Sequence, residues 1–235
     1  MSSIVHISLA IAIALSTTLV RAGDTGPETG RVVGPEINAY YHDADPARWL
    51  EVFERPGREL FDRRQEIVDA LALRPGADVA DVGAGTGLFT MLFASRVGPE
   101  GRVYAVDISR PFVEAIRERA RAAGLENVIG IVNTQQSVEL PAASVDLVFI
   151  ADTYHHFEYP HAMLASIHRA LRPDGTLAVI DFRRLPGFSS AWVMGHVRAG
   201  RAQVIKEVRA AGFELVEEPV QLDGNYFLSF RKRAG

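Results

Sequence analysis

The chain has 235 residues, 48% of them hydrophobic, a formal net charge of −4 and no cysteine. That length suits one well-packed domain and is short for two large ones. A thiol nucleophile and a thiolate-bound metal are excluded, and the mildly acidic balance without a large basic block argues against a nucleic-acid partner.

In chain order, residues 7–20 form an apolar run followed by Arg21-Ala22-Gly23. Val20 and Ala22 stand where a signal peptidase reads small side chains, so residues 1–22 are expected to be a signal peptide cut after Ala22. The segment before the run has His6 and no Lys or Arg, and the run is short for a membrane span. A periplasmic or secreted protein with no stable span after cleavage is therefore expected, with a retained anchor or a cytoplasmic chain as the alternatives. Residues 23–36, rich in Gly, Pro and charge, read as a linker.

Residues 37–74 read as a helical segment. Asp45 caps a helix opened by Pro46, and Trp49, Leu50 and Phe53 give it an apolar stripe. Pro56-Gly57 interrupts it. A second helix is expected from about Arg58 through Leu71, with Leu60, Phe61, Ile67, Val68 and Leu71 turned inward. Tyr40, Tyr41, Trp49 and Phe53 can form a lid over a site or simply pack the segment onto the domain. A lid of aromatics favours a small, partly apolar acceptor.

Residues 75–235 then alternate. Strands are expected at 78–82, 102–106, 128–132, 146–150, 176–181, 213–217 and 226–231, with helices at 88–96, 110–123, 161–171 and about 200–211. Gly124 follows the second of these helices, where a C′ glycine belongs. Strand and helix in alternation demand a mostly parallel sheet with helices on both faces, and β-branched runs fit its buried central strands.

The first of these strands runs into Asp81-Val82-Gly83-Ala84-Gly85-Thr86-Gly87, and the next is followed by Asp107. Glycines let the backbone approach a ligand, and an acid at the end of the second strand can accept both ribose hydroxyls of a nucleoside. The loop lacks the Lys-Ser/Thr of a mononucleotide site, since Leu88 and Phe89 stand there. Its glycines are spaced G-x-G-x-G, not the G-x-G-x-x-G of a dinucleotide oxidoreductase. Asp81 beside the turn would repel a diphosphate but suits an ammonium or sulfonium group.

With Asp146-Leu-Val-Phe-Ile150 and Leu171-Arg-Pro-Asp-Gly-Thr-Leu-Ala-Val-Ile180, these motifs resemble, in order, those of the class I S-adenosylmethionine-dependent methyltransferases of the small-molecule type. The resemblance spans roughly residues 65 to 182. It implies a Rossmann-like three-layer sandwich whose seven-stranded sheet runs 3-2-1-4-5-7-6, with an antiparallel C-terminal edge pair. The implied cofactor is S-adenosyl-L-methionine. Gly83 and Gly85 would pass beneath its methionine part, Asp81 would orient its amino group, Asp107 would hold the ribose and Ile108 would lie against adenine. Many relatives place an Asp after the third strand against the adenine amino group. Thr134, followed by Gln135, stands there, with hydrogen-bonding capacity but no charge.

The segment after the fourth strand, Ala151-Asp152-Thr153-Tyr154-His155-His156-Phe157-Glu158, lies where ligands bind in parallel sheets. Asp152 is a candidate for the cofactor amine. His155 or His156 is a candidate general base and Tyr154 a further catalytic or wall residue. No metal is expected, because adjacent histidines do not easily turn to one ion, no metalloprotease or facial-triad spacing occurs, and His161 and His168 are seven apart on one helix. The implied activity is methyl transfer to a small-molecule acceptor through an O, N, S or C nucleophile, in a monomer or homodimer. A non-catalytic cofactor-binding scaffold or sensor is the competing reading. Export would require cofactor outside the cytoplasm where it is made.

Overall fold

The computed structural model describes residues 30–233. The expected signal segment and the first part of the expected linker lie outside them. Seven strands form one sheet in the order β3-β2-β1-β4-β5-β7-β6. These are β1 (Val79–Val82), β2 (Val103–Asp107), β3 (Val128–Val132), β4 (Val145–Ala151), β5 (Leu171–Phe182), β6 (Phe213–Glu217) and β7 (Asn225–Lys232). The β3-β2-β1-β4-β5 run is parallel, and β7 pairs antiparallel with both β5 and β6. This is the Rossmann-like sandwich and antiparallel edge that the motif order implies.

Nine helices flank the sheet among the described residues: α1 (Ala39–His42), α2 (Pro46–Phe53), α3 (Glu59–Asp62), α4 (Arg64–Ala70), α5 (Leu88–Val97), α6 (Arg110–Ala122), α7 (Pro160–Ala170), α8 (Ala191–His196) and α9 (Arg201–Ala210). The central strands are apolar at consecutive positions because both faces are covered. Val148 and Ile150 of β4 pack with Leu164, Ile167, Val204 and Val208 of α7 and α9. Leu147 and Phe149 pack on the other face with Ile67, Phe89 and Phe93 of α4 and α5. Local signals act where they were expected. Asp45 accepts the Ala47 N–H at 3.0 Å as the α2 cap. Gly124 takes φ +70, and Leu125 N–H closes the end of α6 on the Ala120 carbonyl at 2.9 Å.

Three departures concern elements. The expected helix from Arg58 through Leu71 is divided at Arg63 (φ −101, ψ 14), whose side chain bonds the Gln221 carbonyl and Glu66. Strand β5 begins at Leu171, so Arg172-Pro-Asp-Gly175 is a bulge inside the strand. Val145 pairs with Leu171 and Leu147 with Thr176, and Asp174 sits at φ +60. Helix α8, capped by Ser190 through the Val193 N–H, occupies a stretch with no expected element.

The parallel strands deliver their carboxyl ends to one rim. Asp81 and Asp107 reach it from β1 and β2, the 151–158 segment follows β4, and Asp181 comes from β5.

Candidate active site

That rim opens into a cavity of about 1150 Å³. Its floor is the glycine turn. Gly83, Gly85 and Gly87 all have positive φ, at +73°, +55° and +84°. A Cβ on Gly83 would lie 2.2 Å from Thr153 Cγ2, so no side chain fits there. Above Gly85 the nearest neighbour is the Phe53 ring, 3.4 Å from where a Cβ would stand. The backbone is thus bare toward the cavity, as a cradle for a ligand requires.

Asp81 and Asp107 both line this cavity and both are buried. Thr90 of α5 donates to Asp81 Oδ2 at 2.6 Å. The Gly85 and Ser109 N–H groups donate to Asp107 Oδ2 and Oδ1, each at 2.8 Å. Burial pushes the Asp81 carboxyl up to about 7, with Thr90 opposing and the Asp107 charge adding to the rise. Burial likewise raises Asp107 to about 6 against its backbone donors. Two desolvated acids at one end of a cavity favour a cationic ligand, which would restore both to the ionised form. A sulfonium-and-ammonium compound with a ribose fits this donor set, and Asp107 retains lone pairs for the ribose hydroxyls.

Ile108 lies on the wall beside them. After β3, Asn133 and Gln135 are on the wall, whereas Thr134 is not among the lining residues. The Thr134 hydroxyl accepts the Gln136 N–H at 3.3 Å in a local turn. Asp152 lines the cavity at φ +49, but its carboxylate is engaged. Arg58 donates to Oδ2 at 2.7 Å and Asn225 to Oδ1 at 2.6 Å. Burial raises the Asp152 carboxyl and the Arg58 charge opposes the rise.

The same cavity carries the histidines. Residues Tyr154–His156 form a 3-10 turn. His155 is 1% exposed, and its Nδ1 meets Asp181 Oδ1 at 2.8 Å while its N–H donates to Oδ2 at 2.9 Å. His156 faces Tyr41 edge-on at 5.2 Å. Burial, then the neighbouring His155 and His196, hold the His156 imidazole down to about 3, so it stays neutral. His196, the last residue of α8, completes the group with ring centroids 5.1 Å from His155 and 5.2 Å from His156. Against the expectation that adjacent histidines do not easily turn to one ion, the two rings stand close together. The tight turn brings the two rings to 4.3 Å, and α8 adds a third. His161 and His168 do not line the cavity.

Tyr154 is a second correction. It is absent from the cavity wall because the turn directs it into the core, where it donates to Glu207 Oε2 at 2.7 Å. Arg198 pairs with the same carboxylate at 3.0 Å. Burial and Glu207 push the phenol far above its usual range, which removes it as an acid or base.

The N-terminal segment covers the cavity. Tyr41, Trp49 and Phe53 stack in sequence at 5.0 and 4.9 Å along its edge. Glu54 ties α2 to the glycine turn, accepting from Thr86 at 2.8 Å and from Arg119 at 2.9 Å. Phe188 and Trp192 stand exposed at the mouth. Arg58, Asp181, Asn225 and His196 are site residues that the sequence reading missed. For Asp181 there was a signal, since it ends an apolar strand as Asp107 does. Arg58 and Asn225 reach the site from distant segments and gave none.

A family model described as a methyltransferase domain matches residues 80–179. Nocamycin O-methyltransferase of Saccharothrix syringae is 32% identical over 154 residues, 65% of this chain and 55% of that protein. The ubiquinone/menaquinone biosynthesis C-methyltransferase UbiE of Hydrogenovibrio crunogenus is 32% identical over 123 residues, 52% of this chain and 48% of that protein. The chain therefore spans about half the length of these curated relatives. A SAM-dependent methyltransferase from Aquifex aeolicus has the same fold with a TM-score of 0.70 at 26% identity, covering 80% of this chain and 99% of that one. With the strand order, the bare glycine turn and its paired acids, these likenesses support the class I S-adenosylmethionine-dependent methyltransferase family for this chain, whose residues 80–179 match the methyltransferase domain.

Proposed function

We propose that the protein transfers the methyl group of S-adenosylmethionine to a small-molecule acceptor. The observation that carries this reading is a cavity of about 1150 Å³ whose lining includes the glycine turn and its acids together with the histidines and aromatics. It exceeds the roughly 300–1000 Å³ of a one-ligand pocket and so has room for cofactor and acceptor together.

When bound, the cofactor supplies a methyl group already activated by a sulfonium charge. The protein's task is then alignment and exclusion of water. Gly83 and Gly85 let the backbone pass beneath the methionine part, Asp81 orients its amino group and Asp107 accepts from the ribose. Ile108 lies against adenine, and Gln135, with Asn133, meets the adenine edge in preference to Thr134. Asp152 acts indirectly, by holding Arg58 and with it the N-terminal cover. Tyr41, Trp49 and Phe53 form that cover and favour an acceptor with an apolar part. A protic nucleophile is seated beside His155, whose ring is fixed by Asp181. His156 is a poor base at its depressed pKa and shapes the same pocket.

A panel of thiols, phenols, amines and carboxylates, read by formation of S-adenosylhomocysteine, tests this reading. Turnover with a small acceptor is expected. Tight cofactor binding without turnover on any acceptor or cell extract would favour the non-catalytic scaffold instead.

We also infer export after cleavage at Ala22, from the apolar run of residues 7–20. Among the described residues no helix is long and apolar enough to cross a membrane. Mass spectrometry of the mature protein should find Gly23 at the N-terminus. Recovery of a chain starting at Met1 from the cytosol would contradict it.

A further inference from the structure

We propose that His155, His156 and His196 bind one divalent transition-metal ion, of the zinc class, at the acceptor end of the cavity. The metal site stands on the geometry alone; only its role as a seat for the acceptor rests on the methyltransferase reading.

One potential ligand nitrogen from each of the three imidazoles lies within 4.8 Å of the others. In a tetrahedral zinc site with bonds of about 2.0–2.1 Å, ligand nitrogens stand roughly 3.3 Å apart. Metal binding would draw the rings together from that spacing. His196 has the freedom to move, being only partly buried at the end of a short surface helix. The other two rings already present unused atoms. His155 Nε2 and His156 Nδ1 are buried and have no hydrogen-bond partner among the described residues. Leaving a buried imidazole nitrogen unsatisfied is costly, and two beside each other call for a shared partner.

The surroundings of His155 have the form of a metal ligand's support. Asp181 Oδ1 accepts a hydrogen bond from Nδ1–H, which fixes the tautomer and leaves the lone pair of Nε2 facing away from the carboxylate. Asp181 is itself held by the N–H groups of His155 and Phe182, at 2.9 and 2.8 Å. Three neutral imidazoles with no cysteine suit Zn²⁺ and the neighbouring divalent ions of the first transition row. With three protein ligands, a fourth position stays open to the cavity.

An acceptor hydroxyl or thiol seated at that position would become more acidic and release its proton to solvent. Its oxygen or sulfur would then form the new bond to the methyl carbon as the methyl–sulfonium bond breaks. The electron pair would return to the cofactor sulfur, leaving a neutral thioether. The histidines thus favour acceptors with an ionisable oxygen or sulfur.

Untagged full-length protein, stripped with chelator, should be titrated with Zn²⁺ by calorimetry and with Co²⁺ by visible absorption. One-to-one binding at micromolar or tighter affinity and a Co²⁺ spectrum of low coordination number are expected. His196→Ala should weaken binding at least tenfold, and Asp181→Asn about 10- to 100-fold, the range for loss of a ligand's supporting carboxylate. His168→Ala, away from the cavity, should bind as the wild type. Because His196 lies on the surface helix, its variant tests the site even if Asp181→Asn does not fold. No binding by the wild type, or binding unchanged in His196→Ala, would overturn the proposal. Metal binding without methyl transfer would leave it standing and sink the acceptor reading. Methyl transfer by a protein that binds no metal would do the reverse.

Discussion

Asp81 and Asp107 bear the electrostatics of the cofactor end. Both carboxyls are raised by burial, to about 7 and about 6. For an acid whose folded pKa lies above its unfolded value, the native chain holds more protons across the interval between them. The penalty is absent below the unfolded pKa near 4, grows as pH rises, and is complete above about 7. Stability of the free protein should therefore fall across that window. A ligand with sulfonium and ammonium charges reverses the balance by favouring both ionised forms. Its binding should release protons near pH 6.5 and should weaken as pH drops from 8 to 5. Calorimetry in buffers of different ionisation enthalpy reads this directly, and net proton uptake would refute it. These two acids and their glycines were legible in the sequence because the motif is local. The partners of the cavity's acids were not read from the sequence: Thr90 lies nine residues from Asp81 on the adjoining helix, and Arg58 reaches Asp152 across 94 positions.

Among the elements, the turn after β4 sorts its side chains between two environments. His155 and His156 go to the cavity, and Tyr154 goes to the core, into a network with Glu207, Arg198 and Gln203. That network fastens the turn to α9. Tyr154→Phe should lower stability by about 1–3 kcal/mol, the range for a buried hydrogen bond to a charged group, while leaving cofactor affinity unchanged. Denaturant unfolding and a cofactor titration on the same variant check both halves. Loss of cofactor binding with stability intact would restore Tyr154 to the site. The sequence pattern named the residues of this turn but not their directions. A three-residue helical turn has no extended periodicity from which to read a face. The strands were legible because each is an apolar run between turn residues. Helix α8 was not, at six residues with Trp192 exposed, and it brought His196 with it. The long β5 was read short because Pro173-Asp174-Gly175 signals a turn, and the sheet absorbs it as a bulge.

At the scale of the molecule, the sheet provides a rigid rim and the N-terminal segment closes over it. The cover is held down by Asn38 on the Glu158 carboxylate at 3.2 Å, by Glu54 on Thr86 and Arg119, and by Arg58 on Asp152. The sequence suggests a division into an aromatic N-terminal segment and a sheet domain. It does not show that the segment grips the cavity through charged residues, because each pair joins distant parts of the chain. Cofactor binding at the glycine-and-acid end is the claim on which the rest depends. The most direct measurement is calorimetric titration of the protein with S-adenosylmethionine and S-adenosylhomocysteine, beside Asp107→Ala. One-to-one binding in the micromolar range, on the order of −8 kcal/mol, is predicted, weakened by roughly 1–3 kcal/mol in the variant. Binding of NAD with no binding of either adenosyl compound would contradict the account.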